Sequence, residues 1–308
     1  MSQPLRHIKN RIRTVENVKK VMNAIEMVSV SKLNSINRLL APILPYSSRL
    51  ESMLHDLISS EEEFHNPFFD TFDSAQYQPR ANASLQAGVR RGVEKRNDVR
   101  ASALCVITSD NGLCGMYNYN VARAAEEFVE KKGRDNVKLI VLGKKGLAHF
   151  RNRGYKIPYI FIDLHGRYNK AVFDEINSLL TDLFLKNEVG EVYVAYTRIK
   201  RGMGQKVSVE KFLNIETLEA KHEQYIVEPE FNAVLGDLVP RYIAAKWKLI
   251  VLEALAAEHT ARSISMKAAT DNAKELLESL VLARNKIRQA GITADIMEII
   301  SAAEALKG

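Results

Sequence analysis

The chain has 308 residues, of which 46% are hydrophobic and 26% charged, a composition that supports a packed core of one or two domains. No apolar run approaches the ~18 residues of a membrane span, and the N-terminal residues lack the apolar core of a secretory signal. The formal net charge of +7 favours an acidic partner, whether nucleic acid, an anionic membrane surface or an acidic protein patch. A basic solvated surface explains this charge equally well. Cys105 and Cys114 are expected to be free thiols in a reducing compartment.

Residues 1–58 carry the pattern of a long helix, with Ser2 as a cap and Pro4 in the first turn. Pro42 and Pro45 are expected to end or kink it near residue 41, after which the helical pattern resumes over residues 47–58. Most of its heptad core positions are apolar, which is typical of a coiled-coil seam. The predicted seam is Ile8, Arg11, Val15, Val18, Met22, Ile25, Ser29, Lys32, Ile36 and Leu39.

Residues 221–308 carry a second helical pattern, with Asp237 as the expected N-cap shortly before Pro240. Its seam is apolar and resumes in a shifted register after Asp271 and Asn272. The first part is Ile243, Trp247, Ile250, Ala254, Ala257, Ala261, Ile264 and Ala268, and the second part is Leu276, Leu280, Ala283, Ile287, Ala290, Ala294 and Met297. A chain that begins and ends in such helices is expected to fold back on itself as an antiparallel coiled coil.

The end of the last helix is unusual because residues 292–306 are apolar on several sides. The last helix would run about 105 Å and the first about 57–80 Å, so one end of the last helix lacks a partner within the chain. An isolated helix that is apolar all round needs to be buried. We therefore expect residues 292–306 to be buried in an apolar binding site of another protein. The alternative is that they fold back onto the chain's own α/β domain.

Residues 101–220 alternate between strand and helix patterns, which predicts a largely parallel sheet covered by helices. The expected strands are 104–108, 137–142, 159–162, 192–197 and 207–215, the last as part of a hairpin, and the expected helices are 117–132, 145–154 and 170–186. Residues 59–100 separate this domain from the first helix. They start acidic, contain Phe64, Phe68, Phe69 and Phe72, and end basic, which predicts a mobile loop over 76–100 with the phenylalanines packed at its base.

The segment from Thr108 to Gly115, TSDNGLCG, is the one loop whose pattern invites a catalytic or phosphate-binding interpretation. Its glycines match neither the dinucleotide-binding fingerprint nor a Walker loop. Cys114 would need a base such as His149 or His165 to act as a nucleophile, and the turn from Gly143 to Gly146 is a second, weaker phosphate candidate. The histidines lack metal-ligand spacing, so no catalytic residue, cofactor or metal is expected.

Three blocks of sequence carry a resemblance: IKNRIRTVENVKKVMNAIEMVSVSKL at 8–33, ITSDNGLCGMYN at 107–118 and AEHTARSISMKAATDNAKELLESLVLARNKIRQAGIT at 257–293. In this order they resemble the gamma subunits of F-type ATP synthases, and GKKGLAHFRNRGYKI from Gly143 is similar as well. The chain departs from the family at Asn111 and Met116, where Arg and Gly are usual, and at Asp295 and Ala302, where Glu and Gly are favoured.

The resemblance implies an antiparallel coiled coil of the terminal helices with a Rossmann-like α/β domain inserted between them. It implies a central rotor shaft that couples ion-driven rotation of the membrane c-ring to ATP synthesis or hydrolysis in the alpha/beta hexamer, with no catalytic site of its own. The implied partners are the alpha, beta and epsilon subunits and the c-ring. The implied location is the cytoplasmic face of an energy-transducing membrane, a bacterial plasma (inner) membrane, reached only through partner subunits.

The resemblance also implies contact residues, which are otherwise ordinary solvated positions. Those expected to meet beta subunits are Arg288, Gln289, Thr293 and Asp295 near the tail and Lys9, Lys19, Lys20 and Lys32 on the first helix. Those expected in the foot, against the c-ring and epsilon, are Tyr196, Arg198, Lys200, Arg201 and Gln205. Two other classes fit less well: a chromosome-organising protein, which would need longer arms and an ATPase head, and a Rossmann-like enzyme, which would need a cofactor fingerprint. Nucleic acid is therefore not expected as a partner.

Overall fold

The computed structural model describes residues 3–59, 66–69, 101–200, 204–215 and 230–305. As the sequence predicts, a sheet with covering helices lies in the chain between two long helices. The helices are α1 (Gln3–Ser59), α2 (Tyr117–Lys132), α3 (Lys144–Arg151), α4 (Lys170–Leu185) and α5 (Phe231–Ala305). The strands are β1 (Ser102–Ile107), β2 (Val137–Leu142), β3 (Tyr159–Phe161), β4 (Glu191–Lys200) and β5 (Gly204–Leu213). The predicted loop over 76–100 lies outside the described residues.

Helix α1 is continuous from Gln3 to Ser59, so the expectation that it ends near residue 41 is wrong. Pro42 and Pro45 lie inside the helix at exposed positions. Each proline deprives the carbonyl four residues earlier of its helical donor. Those carbonyls belong to Arg38 and Ala41, which are also exposed, so water can bind them. The buried face continues past the prolines at Ile43.

The buried face of α1 has heptad spacing, but three of the ten predicted seam positions are one residue out of register. Arg11, Val18 and Leu39 are exposed, Val18 to 42%. The half-buried residues that replace them are Ile12, Lys19 and Leu40. A lysine can occupy such a position because its aliphatic stem packs while its ammonium group reaches water. The other seven predicted positions are confirmed as buried or half-buried: Ile8, Val15, Met22, Ile25, Ser29, Lys32 and Ile36.

Helix α5 begins at Phe231, so Asp237 lies inside the helix and is not its N-cap. The first part of the predicted seam is confirmed from Ile243 to Ala257, and all residues over 251–258 are buried, as in a helix enclosed on every side. Beyond this stretch the predicted seam is confirmed only in part. Leu280 is buried and Ala261, Ala283 and Ile287 are half-buried, as predicted, whereas Ile264, Ala268, Leu276, Ala290, Ala294 and Met297 are exposed. The buried residues there are His259, Arg262, Met266, Thr270, Ala273 and Leu280.

The chain forms two compact units, each of which contains part of both long helices. The first comprises Met1–Leu33, Leu113–Gly115 and His259–Gly308. The second comprises Asn34–Gly112 and Met116–Glu258 and contains the sheet. The start of α1 thus shares a unit with the end of α5, and the end of α1 shares a unit with the start of α5. This is the pairing of an antiparallel coiled coil, as predicted.

The sheet of the second unit has the strand order β3-β2-β1-β4-β5. The first four strands are parallel, and β5 is antiparallel to β4 in the expected hairpin. Every residue of the central strand β1 is buried, as expected for a parallel strand covered on both faces. Leu104 and Val106 pack with Val121, Ala125 and Phe150 in the core. Of the four phenylalanines in the linker, Phe69 is buried and Phe68 stacks on Phe184, whereas the other two lie outside the described residues.

Candidate functional site

The loop that follows β1 binds its own chain at the carboxyl end of the sheet. Thr108 donates its hydroxyl hydrogen to the carbonyl of Leu142 at 2.6 Å. The Asp110 carboxylate accepts hydrogen bonds from the backbone N–H groups of Lys144 and Asp163, each at 3.1 Å, and of His165 at 2.8 Å. Asp110 therefore fastens the ends of β2 and β3 to the end of β1.

These contacts use the amides that an anion would need at the start of α3. The N–H of Lys144 binds Asp110, that of Lys145 binds the Ser109 carbonyl at 3.1 Å, and that of Gly146 binds the Thr108 hydroxyl at 2.9 Å. With its first-turn donors occupied by the chain itself, α3 offers no free phosphate cradle. The phosphate interpretation of the Gly143–Gly146 turn is therefore not supported, and the structure gives this turn a role in holding the sheet together.

The structure shows where Cys105, Cys114 and His149 lie. Cys105 and Cys114 are buried free thiols, and burial raises the pKa of the Cys105 thiol far above its ordinary value. The Nε2 atom of His149 lies 3.1 Å from a carboxylate oxygen of Glu126, which accounts for that imidazole within the scaffold. No group of three or more His, Cys, Asp or Glu side chains among the described residues could hold a metal ion.

The most developed polar site joins β4 and β5 to α5 inside the second unit. Tyr196 donates to Glu210 at 2.9 Å and lies 3.4 Å from Glu253. The Arg198 guanidinium lies 3.2 Å from Glu253, and the Gln205 amide donates to the Ala257 carbonyl at 2.8 Å. We call Tyr196, Arg198, Gln205, Glu210 and Glu253 the hairpin–helix cluster. It ties the hairpin to the enclosed stretch of α5.

Burial dominates the electrostatics of this cluster. It raises the pKa of Glu253, against the opposing effect of the Arg198 charge. Burial, together with the carboxylates of Glu210 and Glu253, also raises the pKa of Tyr196 far above its ordinary value. Sequence reasoning missed Glu253 as a site residue, although it is the one charged residue in the apolar run from Leu249 to Ala257.

The predicted foot residues differ in how far they are exposed. Tyr196 is 1% exposed, so its side chain belongs to the core in this conformation and offers no surface to a partner. Arg198 is half-exposed and Gln205 exposed, although both also contact α5. The side chain of Lys200 and the whole of Arg201 lie outside what the structure describes. A foot contact through Arg198 and Gln205 stays a prediction.

The predicted beta-contact residues lie mostly on open surface. Arg288, Gln289, Thr293 and Asp295 are exposed, and the Thr293 hydroxyl donates to the Gln289 carbonyl within the helix. On α1, Lys9 and Lys20 are exposed, whereas Lys19 and Lys32 are half-buried. Every described side chain over 292–304 is exposed. Its large apolar members are Ile292, Ile296, Met297, Ile299 and Ile300, which are 50–69% exposed.

Comparison with known sequences covers nearly the whole chain. Residues 4–306 match the sequence model of the family described as ATP synthase. An ATP synthase gamma chain from Anaeromyxobacter sp. (strain Fw109-5) is 35% identical, over 98% of this chain and 99% of that protein. The chain belongs to the ATP synthase gamma chain family. Another gamma chain, from Geobacter sp. (strain M21), is 33% identical over 99% of both sequences.

Solved structures confirm the gamma chain fold. A chain of the Euglena gracilis mitochondrial ATP synthase, in a complex of OSCP, F1 and c-ring, superposes with a TM-score of 0.64 at 14% identity, over 98% of this chain and 94% of that one. A chain of the Tetrahymena thermophila mitochondrial central stalk and c-ring gives a TM-score of 0.53 at 18% identity, over 81% of this chain and 99% of that one. As a gamma chain, the protein is a subunit of an ATP synthase. None of the described helices combines the length and apolarity that a membrane crossing requires.

Proposed function

We propose that this gamma chain is the rotating shaft that couples ion flow through the membrane sector to nucleotide chemistry in an alpha/beta hexamer. In this role it makes and breaks no bond itself. The membrane c-ring turns the foot of the shaft, each charge that crosses supplying about 2.3 kcal/mol per 100 mV. The asymmetric shaft then stabilises a different conformation of each catalytic subunit at each angle, because a binding partner shifts a conformational equilibrium only through differential contacts.

The observation that carries this proposal is the unpartnered apolar end of α5. Ile299 is 69% exposed and Met297 57% exposed, and their neighbours over 292–304 are exposed as well. A soluble helix with such a surface on several sides is stable when another protein encloses it. An apolar bearing formed by the alpha and beta subunits meets this requirement, and it leaves the shaft free to turn because apolar contacts are not directional.

The charged residues next to the tail and on α1 fit the same role. Arg288, Lys9 and Lys20 are exposed and able to meet acidic segments of beta subunits, and Gln289, Thr293 and Asp295 add polar contacts near the tail. Exposed charge pairs contribute little affinity each, so they can form and break as the shaft turns. Lys19 and Lys32, being half-buried, contribute less to such contacts.

At the other end we propose that the second unit meets the epsilon subunit and the c-ring. The exposed ends of β4 and β5 supply this foot, with Arg198 and Gln205 as its described members. The hairpin–helix cluster behind them connects the hairpin to α5, so displacement of the foot is passed to the helix. The complex would lie on the cytoplasmic face of a bacterial plasma membrane, with the chain reaching the membrane through its partners.

Reconstitution tests the shaft. The full chain, and a form lacking residues 284–308, are added to purified alpha and beta subunits, separated by size exclusion and assayed for ATP hydrolysis. One full-length chain per hexamer is expected, with altered turnover after truncation. A chain that ignores these subunits and elutes alone would overturn the proposal.

Point variants separate the bearing from general surface hydrophobicity. Ile299→Ser should weaken assembly or change turnover several-fold. Ile264→Ser is the matched control, since Ile264 is similarly exposed at 63% but lies outside the tail. Equal effects of the two variants would contradict a bearing located at 292–304.

A further inference from the structure

The loop after β1 contains the pair Asn111–Gly112, which has no part in the proposed function. It is the only asparagine–glycine pair in the sequence. Such a pair is the one most prone to spontaneous deamidation, because glycine has no side chain to hinder the ring that the reaction closes. Asn111 is exposed and lies outside the helices and strands, so water and hydroxide reach its side-chain amide.

The reaction is an attack by the chain on itself. Hydroxide removes the proton from the Gly112 backbone nitrogen, which then attacks the side-chain carbon Cγ of Asn111. The bond from that nitrogen to Cγ forms, the bond from Cγ to Nδ2 breaks, and the side-chain nitrogen leaves as ammonia with a proton from water. Water then opens the resulting succinimide ring at either carbonyl. The product is aspartate, or isoaspartate with the main chain rerouted through Cγ.

A hydrogen-bond relay acts on the peptide group that supplies this nitrogen. The Asn118 side-chain amide donates to the Ser109 hydroxyl at 2.8 Å, and that hydroxyl donates to the Asn111 carbonyl at 2.6 Å. The Asn111 carbonyl and the Gly112 N–H belong to the same peptide group. Because hydrogen bonds in a chain polarise one another, the relay draws electron density from this group and makes its N–H more acidic.

A cation lies beside the same peptide group. Lys145 is in the first turn of α3, and its backbone N–H donates to the Ser109 carbonyl at 3.1 Å, which holds it against the loop. Its ammonium nitrogen lies 3.8 Å from the position that a Cβ on residue 112 would take. A positive charge at this distance stabilises the deprotonated Gly112 nitrogen and the negative oxygen that forms on Cγ of Asn111.

We propose that Asn111 is a site of spontaneous deamidation and that the fold raises its rate through Ser109 and Lys145. The product is a new carboxylate beside the Lys145 ammonium, and it lowers the net charge of the chain by one. Two asparagines are followed by serine and serve as internal comparisons, Asn34 in α1 and Asn177 in α4. In a helix the N–H that would attack is bonded to the carbonyl four residues earlier, so these two should keep their amides.

The first test follows the modification in the full chain. The protein is incubated in mildly alkaline buffer, digested and mapped by mass spectrometry, and isoaspartate is measured with an isoaspartyl methyltransferase. We expect Asn111 to be converted to aspartate and isoaspartate while Asn34 and Asn177 stay intact. An aliquot digested without incubation corrects for reaction during the digest. Asn111→Gln is the matched control, since its longer side chain must close a larger ring and should stay intact. An Asn111 that is unchanged, or that reacts no faster than Asn34, would overturn the proposal.

Variants separate the effect of the fold from that of the local sequence. Ser109→Ala removes the relay and Lys145→Gln removes the cation, and each should slow deamidation several-fold in the folded chain. Neither should change the rate in urea, where the fold is lost. Lys156→Gln makes the same charge change at an exposed position before β3, at the opposite edge of the parallel sheet, and should leave the rate unchanged. Circular dichroism checks that each variant is folded, and Lys145→Gln should be, because Lys145 is exposed. A folded Lys145→Gln chain that reacts as fast as wild type, or that is slowed equally in urea, would refute the part played by the fold.

Discussion

The carboxylate of Glu191, at the start of β4, offers a direct test of the electrostatics of the second unit. It lies 2.9 Å from the Lys132 ammonium on α2 and 3.0 Å from the Lys211 ammonium on β5, and the Tyr193 hydroxyl donates to it at 3.1 Å. Burial alone would raise its pKa, but the hydrogen bonds from Lys132 and Lys211 outweigh burial and lower the pKa of Glu191 to about 2. Glu191→Gln removes the charge and keeps the shape.

The size and the pH dependence of the effect follow from this pKa. A change in the pKa of Glu191 from the ordinary 4.5 to about 2 corresponds to a contribution of at most about 3.4 kcal/mol to the free energy of unfolding. The side chain is 32% exposed, so solvent screening reduces the expected loss to about 1–2 kcal/mol at neutral pH. Because the folded-state pKa is the lower one, this stabilisation is present above the ordinary pKa and disappears as the pH falls toward about 2.

Urea unfolding followed by tryptophan fluorescence measures this loss, since the single tryptophan, Trp247, is buried in the second unit. The difference between wild type and Glu191→Gln should shrink steadily below about pH 4.5. Glu127→Gln is the control, because its pair with Arg123 is exposed and should contribute at most about 0.5 kcal/mol. Equal losses for both variants, or a loss for Glu191→Gln that does not depend on pH, would show that the ion pairs of Glu191 do not stabilise the fold in this way.

Three further predictions use the same unfolding assay. Gly143→Ala should lower the free energy of unfolding by at least about 3 kcal/mol, because the new Cβ would lie 2.3 Å from the Thr108 carbonyl oxygen. Gly154 also has a positive φ but lies in open space, so Gly154→Ala should lower it by only about 1–2 kcal/mol. Equal costs would contradict the steric argument. Glu253→Gln should gain stability relative to wild type as the pH rises above about 4.5, because a raised folded-state pKa gives stability that is lost as the pH rises through it. A difference that is constant from about pH 5 to about pH 8 would count against that pKa. Removing residues 292–308 should leave the unfolding midpoint unchanged, since every described side chain over 292–304 is exposed, and a clear shift would show that the tail packs on its own chain.

The local pattern of apolar residues predicted the sheet domain well, because the strands and helices of an α/β domain differ in length and in the spacing of their apolar residues. Helix α2 begins at Tyr117 and ends at Lys132, and β2 begins at Val137 and ends at Leu142, as predicted. The prolines of α1 misled because sequence does not show which side of a helix faces water. A proline on the exposed side leaves its unpaired carbonyl to solvent, and the helix continues.

The residues buried in the coiled-coil seam were harder to predict than the elements of the sheet domain. The predicted seam contained the apolar Val18, but the structure exposes Val18 and half-buries its neighbour Lys19. Val18 is exposed in the isolated chain, and a partner subunit that covers this side of α1 would bury it. The hairpin–helix cluster depends on contacts between residues far apart in sequence, such as Arg198 and Glu253, which no local pattern reveals.

Rotation itself tests the shaft most directly. Asn152 is exposed in the second unit, and the two native cysteines are buried, so Asn152→Cys can be labelled selectively with a bead. The labelled chain is assembled with immobilised alpha and beta subunits and observed by single-molecule microscopy while ATP is added. We expect the bead to turn in one direction, at a rate that depends on the ATP concentration. A bead that stays still or only diffuses while the complex hydrolyses ATP would contradict it.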